Sequence, residues 1–218
     1  MIRTRLFLVM TFLVVLFGIV SAFIGVRLIR DRVVKEAQTR VEHDLSSAWS
    51  VYNARLEKIE TILRLIASGA LVSDIVLEPG WDEQAMRSRL EVIRLRFGLD
   101  FLSIVSPEGR VLLRSAPPYR SGDYRPSHLA ILRALGGEVV TATELMYPDD
   151  LDSEQEGLSE VAFTPLEDTP HARATPKTQE TRGLVMLGAA PLKRGAEIVG
   201  ALYGGVLLNK NFELVDGI

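Results

Sequence analysis

Hydrophobic positions change their spacing repeatedly along this chain, and each change marks a predicted element. The stretch "LFLVMTFLVVLFGIVSAFIGV", Leu6 to Val26, is apolar and carries no charge; at about 21 residues it has the length of a helix that crosses a hydrocarbon core. Beyond it, apolar residues recur at Val34, Ala37, Val41, Leu45, Ala48, Tyr52, Leu56, Ile59, Leu63 and Ile66, in the steps of three and four that make one stripe of a helix. Neither Gly nor Pro falls between Val26 and Ser68, and all ten prolines lie at Pro79 or later. One uninterrupted helix is predicted over 27–68. Its lower half is expected to face a core and its upper half to pack on a second copy of itself.

"DEQAMRSRLEVIRLRFG" (Asp82 to Gly98) predicts a further helix, opened by Asp82 and closed by Gly98, with Met86, Leu90, Ile93 and Phe97 on one face. The period then shortens. "DFLSIVSPEGRVLLRS" (Asp100 to Ser115) is two apolar strands around the turn Pro107-Glu108-Gly109. "SHLAILRALGG" predicts a helix with Ser127 as its cap and a glycine stop, and "EVVTATELM" a β-branched strand. From Tyr147 to Arg182 the chain is polar and carries Pro148, Pro165, Pro170 and Pro176. It reads as a long loop with at most a short strand at 158–166. "GLVMLGAAPLKRGAEIVGALYGGVLLN" (Gly183 to Asn209) is a second hairpin about Lys193 to Glu197, and a short helical pattern with Phe212 and Val215 follows.

Composition narrows the class. With 218 residues, 47% of them hydrophobic and 24% charged, the chain is globular and has room for one domain plus an appendage. A formal net charge of -3 supplies no basic field and no nucleic-acid motif spacing occurs, so no nucleic-acid partner is expected. The absence of cysteine excludes disulfides, thiolate metal sites and cysteine nucleophiles. A cleaved signal peptide, with Val20 and Ala22 as the small residues of a cleavage site, competes with an anchor over 6–26. The apolar run continues past Ala22 into helical periodicity, which favours the uncleaved anchor. Arg3 and Arg5 before the run compete with Arg27, Arg30, Arg32 and Lys35 after it, so charge alone leaves orientation open.

Candidate chemistry is sparse. Asp150, Asp152 and Glu154 alternate like the first ligands of a calcium loop, but the glycine and glutamate that complete that motif are missing. Gly200, Gly204 and Gly205 are followed by no lysine-serine/threonine pair, so close strand packing accounts for them. His43, His128 and His171 fall on three different elements, none within motif spacing of a carboxylate pair or a serine nucleophile. No catalytic residue, metal site or cofactor is implied, and the chain is not expected to be an enzyme.

The segments "FLSIVSPEGRVLLRS", "RALGGEVVTATEL" and "AAPLKRGAEIVGALYGGVLLNKNFELVD", together with the polar Thr169-Pro170 loop, resemble the single-Cache sensor modules of bacterial transmembrane histidine kinases. The resemblance implies an α+β fold: a PAS-like five-stranded antiparallel sheet with a long N-terminal helix, preceded by one transmembrane helix. It divides the chain into a cytoplasmic N-terminus (1–5), a transmembrane helix (6–26), a membrane-proximal dimer helix (27–68), a periplasmic sensor domain (69–210) and the start of a helix (211–218) leading to a second span. It further implies an inner-membrane receptor, two-pass when whole, that takes a small-molecule ligand and forms a homodimer. The output would be a two-component histidine kinase, with a chemoreceptor or cyclic-nucleotide enzyme as the alternative. A membrane-anchored structural or assembly protein is the reading from another class.

In the resembled fold the ligand cavity lies on the sheet, walled by the segment after the first hairpin. Here that is "RSAPPYRSGDYRPS". Arg114, Arg120 and Arg125 offer planar forks suited to a carboxylate or phosphate, and Tyr119 and Tyr124 offer amphipathic walls. An anionic small molecule is the expected ligand, and Arg114, which closes a strand, is the leading contact.

Overall fold

The computed structural model describes residues 2–69, 81–125, 128–167, 169–170 and 175–211, and only some of the side chains among the first 37 residues. Helix α1 covers Ile2–Ser68, as the proline-free, glycine-free stripe requires over 27–68. Residues to Ser50 form one compact unit, and those from Val51 on form another. Among the described residues no helix is long and apolar enough to cross a membrane; most side chains of the expected span over 6–26 lie outside the described set. In the first unit Val41, Leu45 and Trp49 are exposed.

In the second unit, α1 supplies Ile59, Ile62, Leu63 and Ala67 to a core shared with α2 (Glu83–Phe97). Helix α2 is delimited as its sequence predicts. The Asp82 carboxylate accepts a hydrogen bond from the Ala85 amide, and Gly98 takes the left-handed conformation that ends the helix. Strands β1 (Phe101–Val105) and β2 (Val111–Arg114) form the first hairpin, and β6 (Gly183–Arg194) and β7 (Glu197–Leu207) form the last. With β3 (Val140–Met146) they build one antiparallel five-stranded sheet in the order β2-β1-β7-β6-β3. A separate two-stranded ribbon pairs β4 (Thr164–Pro165) with β5 (Gln179–Glu180).

Alternation sorts the sheet's side chains to two faces. Leu102, Ile104, Leu113, Met186, Leu202 and Val206 join the α1 and α2 core. Phe101, Val105, Val185, Leu187, Ala189, Ala201 and Leu207 point the other way, toward α3 (Leu129–Leu135), α4 (Pro148–Glu154) and α5 (Leu158–Ala162).

Two expectations need correction, and a third lies outside the described residues. The segment expected to be a loop from Tyr147 contains α4 and α5, and 158–166 is mostly helix, with the ribbon confined to Thr164–Pro165. Pro148 at the first position presets the helical φ, and Asp149 and Asp150 complement the positive end of the helix. Leu151, Leu158 and Ala162 then find apolar cover on the sheet. The cap of α3 is His128; the Glu144 carboxylate, from β3, accepts the Ala130 amide hydrogen bond, while Ser127 lies outside the described residues. The helix expected from 211 likewise lies outside them from residue 212.

Glycine permits the closest approaches. A side chain at Gly188 would put its Cβ 2.6 Å from Leu63 Cδ1 and 2.8 Å from Ile59 Cγ2, so α1 rests on β6 at this point. At Gly200, with φ +153°, a Cβ would lie 2.3 Å from the Val105 carbonyl oxygen. Gly188→Val should therefore overpack the α1 interface, at a cost of about 1–3 kcal/mol. The expected fall in melting temperature is roughly 2–12 °C; an unchanged melting temperature would refute this packing of α1 on the sheet.

Candidate functional site

The register of the sheet places three polar residues in one row. Arg114 on β2 is directly opposite Ser103 on β1, and Ser103 is opposite Tyr203 on β7. Cross-strand partners share a face, here the face toward α4. The row continues into Ala189 and Val140, both apolar, so the polar part occupies the β2-β1-β7 end.

Over this row lies Glu154, the last residue of α4, fully buried. Its Oε1 accepts hydrogen bonds from Arg114 Nη2 at 2.9 Å and from the Tyr203 hydroxyl at 2.8 Å, and its Oε2 accepts one from the Ser103 hydroxyl at 2.8 Å. Arg114, itself fully buried, also forks onto Asp123, with Nη1 to Oδ1 at 2.6 Å and Nη2 to Oδ2 at 2.8 Å. Its Nη1 donates further to the Arg120 carbonyl at 2.7 Å. Arg125 is buried beside it and pairs with Asp123 at 3.0 Å, with Asp150, and with Glu154 at 3.7 Å. Two arginines thus face three carboxylates.

The neighbouring residues fasten the same spot. Gln155 Oε1 accepts a hydrogen bond from Arg94 of α2 at 3.1 Å, and the Glu156 amide donates to the Pro117 carbonyl at 2.9 Å. Residues 154–156 therefore tie α4 to α2, to three strands and to the segment after β2.

The structure brings two of the five expected ligand contacts, Arg114 and Arg125, into one buried ionic cluster and leaves the other three outside it. Tyr119 has positive φ and is capped by the Arg87 guanidinium 4.5 Å from its ring centroid. Arg120 is exposed and joins the cluster only through its carbonyl. Tyr124 is exposed, bridged to Arg110 through the backbone and lying over Gly109. Sequence reading missed Ser103, Asp123, Glu154 and Tyr203. The signals were present but local: a serine at an inward position of an apolar strand, and a tyrosine within a run of small residues. A second polar contact lies on the same face, where His128 Nδ1 is 3.0 Å from Glu144 Oε2.

Charge states follow from these contacts. Burial raises the Tyr203 hydroxyl well above its ordinary value, the Glu154 charge adds to this, and Arg114 and Arg125 only partly oppose it. Tyr203 stays protonated and donates to Glu154. Burial would lower the Arg114 guanidinium, but Asp123, Tyr203 and Glu154 outweigh it and the net shift is upward. For Asp123, burial pushes the carboxyl up, while the Arg114 hydrogen bonds and charge, with Arg125, bring it below its ordinary value. As an arrangement, the row is a carboxylate receptor: one guanidinium nitrogen and two hydroxyls converge on one pair of oxygens.

No family model matches the chain, and no curated protein matches it. Among solved structures it is similar to the sensor domain of the Vibrio cholerae histidine kinase DctB. That match has 15% identity and a TM-score of 0.56, and covers 82% of this chain and 58% of that one. The Escherichia coli DcuS sensor domain matches at 16% identity and a TM-score of 0.49, over 77% of this chain and 98% of that one. The periplasmic domain of Vibrio cholerae LuxQ matches at 17% identity and a TM-score of 0.46, over 79% and 66%. The likeness to the first of these shows the fold: an α+β domain with a long N-terminal helix and an antiparallel sheet. The chain spans little more than half of that structure's length.

A depressed carboxyl contributes stability that is complete above its unfolded value and is lost as pH falls through its folded value. The Asp123 contribution should therefore be intact above pH 3.8, the ordinary value, and disappear below it. Asp123→Asn should lower the melting temperature at neutral pH and flatten its decline on acidification; a variant with an unchanged acid slope would show that Asp123 does not carry this linkage.

Proposed function

We propose that the chain is the extracytoplasmic small-molecule sensing module of a transmembrane receptor whose output is a two-component histidine kinase. The single observation that carries this reading is the polar row Arg114, Ser103 and Tyr203 beneath α4 and the segment 115–125. It lies on one face of the sheet and borders apolar residues of that face, such as Phe101, Ala189 and Val140, and in the resembled sensor fold the ligand cavity lies on the sheet. Ligand pockets characteristically combine an apolar surround with a few fixed polar groups. The proposed ligand is a small anion entering between segment 115–125 and α4, with Arg114 and Arg125 at the floor and Tyr119, Arg120 and Tyr124 at the rim.

In this reading 6–26 is an inner-membrane span, 1–5 is cytoplasmic, and the residues from Val33 on lie outside the membrane. The uncharged run supports the span, and long domains cross regardless of flanking charge. The stripe of α1 forms a homodimer seam; the exposed Val41 and Leu45 are apolar residues one helical turn apart and suit packing against a second copy.

The reading is tested on the full chain in detergent, by thermal shift against a panel of amino acids and mono- and dicarboxylic acids. At a ligand concentration 100 times its dissociation constant, stabilisation should reach about 2.7 kcal/mol; absence of any stabiliser in the panel would contradict anion sensing. Topology is tested separately. Reporter fusions at Ser115 should be active only as extracytoplasmic reporters, and activity confined to the cytoplasm would overturn the orientation. Single cysteines introduced from Val33 to Val51 should crosslink with helical periodicity, and a flat profile would contradict the dimer seam.

A further inference from the structure

Ser103, Arg114 and Tyr203 make up a receptor for a carboxylate that belongs wholly to the sheet. They stand in register on three neighbouring strands and are buried, so their donors are held in place by the ladder and by packing. The carboxylate they hold comes from elsewhere. Glu154 ends α4, a helix of seven residues whose first turn has no side-chain cap. Arg114 Nε is buried and has no partner among the described residues, so one of the five guanidinium donors is left over even with Glu154, Asp123 and the Arg120 carbonyl in place.

We infer that Glu154 is an intramolecular ligand of this receptor, and that the small molecule recognised on this face carries a carboxylate that competes with it. The inference rests on the sensing reading above and deepens it, by naming the ligand class and the group the ligand displaces. The exchange conserves charge at the arginines. An incoming carboxylate takes over the hydrogen bonds of Arg114 Nη2, Ser103 and Tyr203, and ionised Glu154 moves out to water, while Asp123 keeps the other edge of the Arg114 fork. A neutral or cationic molecule makes this exchange poorly, because it offers no pair of charged acceptor oxygens to the buried donors of Arg114 Nη2, Ser103 and Tyr203. The tethered carboxylate also sets the threshold: apparent affinity is reduced by the fraction of molecules in which Glu154 has already left.

The experiment uses the full chain and sodium acetate as the probe, with acetamide and sodium chloride at matched ionic strength as controls, read by melting temperature. Glu154→Gln keeps the shape of the side chain and removes its charge. Acetate should stabilise this variant at about tenfold lower concentration than wild type, since a charge-assisted contact no longer has to be displaced. Glu154→Ala should melt roughly 6–20 °C below wild type, and acetate should restore part of that loss. If the alanine variant does not fold, the glutamine comparison decides alone. Equal acetate responses in wild type and variants, or equal rescue by acetamide, would overturn the inference. The two readings fail separately. A wild type stabilised by an acid from the panel, with Glu154 variants insensitive to acetate, removes only the tethered ligand. Acetate-responsive variants with no stabiliser of wild type remove only the sensing reading.

Discussion

A single carboxylate, that of Glu154, sits where the sheet, the helix α4 and the segment after β2 meet. Burying an ionised carboxylate costs several kcal/mol unless charge and hydrogen bonds replace water. Here they do: Arg114 supplies the charge, and Tyr203 and Ser103 supply the remaining donors. Each donor stands on a different strand, so the contact is available only when β2, β1 and β7 are paired in their observed register. A slip of one residue in any of these strands would turn that strand's donor to the α1 face. The cluster thus reads the register of half the sheet, and it fixes the position of α4 by the same contact.

The two faces of the sheet solve different problems. Toward α1 and α2 the contacts are apolar and close, to the point that Gly188 admits Leu63 and Ile59 against the strand. That face gains stability mainly from area and dispersion, with a polar contact between the hydroxyls of Tyr52 on α1 and Thr143 on β3 at 2.6 Å. The opposite face is largely apolar under α3 and α5, with the Glu144 carboxylate at the start of α3, and ionic under the end of α4. Apolar packing tolerates small adjustments, whereas a charge-paired contact is either made or left unpaired at high cost. A ligand that exchanges with one member of such a pair acts on a contact with two distinct states.

How much of this was legible in the sequence depended on how local its cause was. The α1 stripe, the Asp82 and Gly98 limits of α2 and both hairpins rest on periodicity, caps and turns within a few residues, and the structure has them all. Helices α4 and α5 were read as loop because prolines and acids dominate 147–182. Their apolar residues, Leu151, Leu158 and Ala162, are too few to form a stripe and gain their burial only from the sheet. For the site, Arg114 was legible as a strand-ending arginine in a polar setting. Glu154 was not, because its partners are 40, 49 and 51 residues away in sequence. In "DDLDSEQEG" nothing local separates it from its solvated neighbours. Ser103 and Tyr203 become polar partners of one another's ligand only once β1 and β7 are paired.

The same contacts lay out a route from the cluster to the end of the last strand. Asp152 of α4 accepts hydrogen bonds from both the amide and the hydroxyl of Ser159 in α5, at 3.0 and 2.6 Å, which makes the two short helices one piece. The Ala162 carbonyl at the end of α5 accepts a hydrogen bond from Asn209 Nδ2 at 2.9 Å, and Asn209 Oδ1 accepts the Leu184 amide at 2.7 Å. Asn209 stands two residues beyond β7 and clamps that end between α5 and the start of β6. Asp100 pulls on the same strand from the other side, its carboxylate accepting the Leu207 amide at 2.7 Å. A displacement of Glu154 from the sheet would shift α4, and with it α5, against a strand end held by these hydrogen bonds together with its pairing to β6. A ligand changes an equilibrium only through its different affinity for two arrangements, and the exchange of one carboxylate for another supplies that difference at the far end of a continuous hydrogen-bonded path.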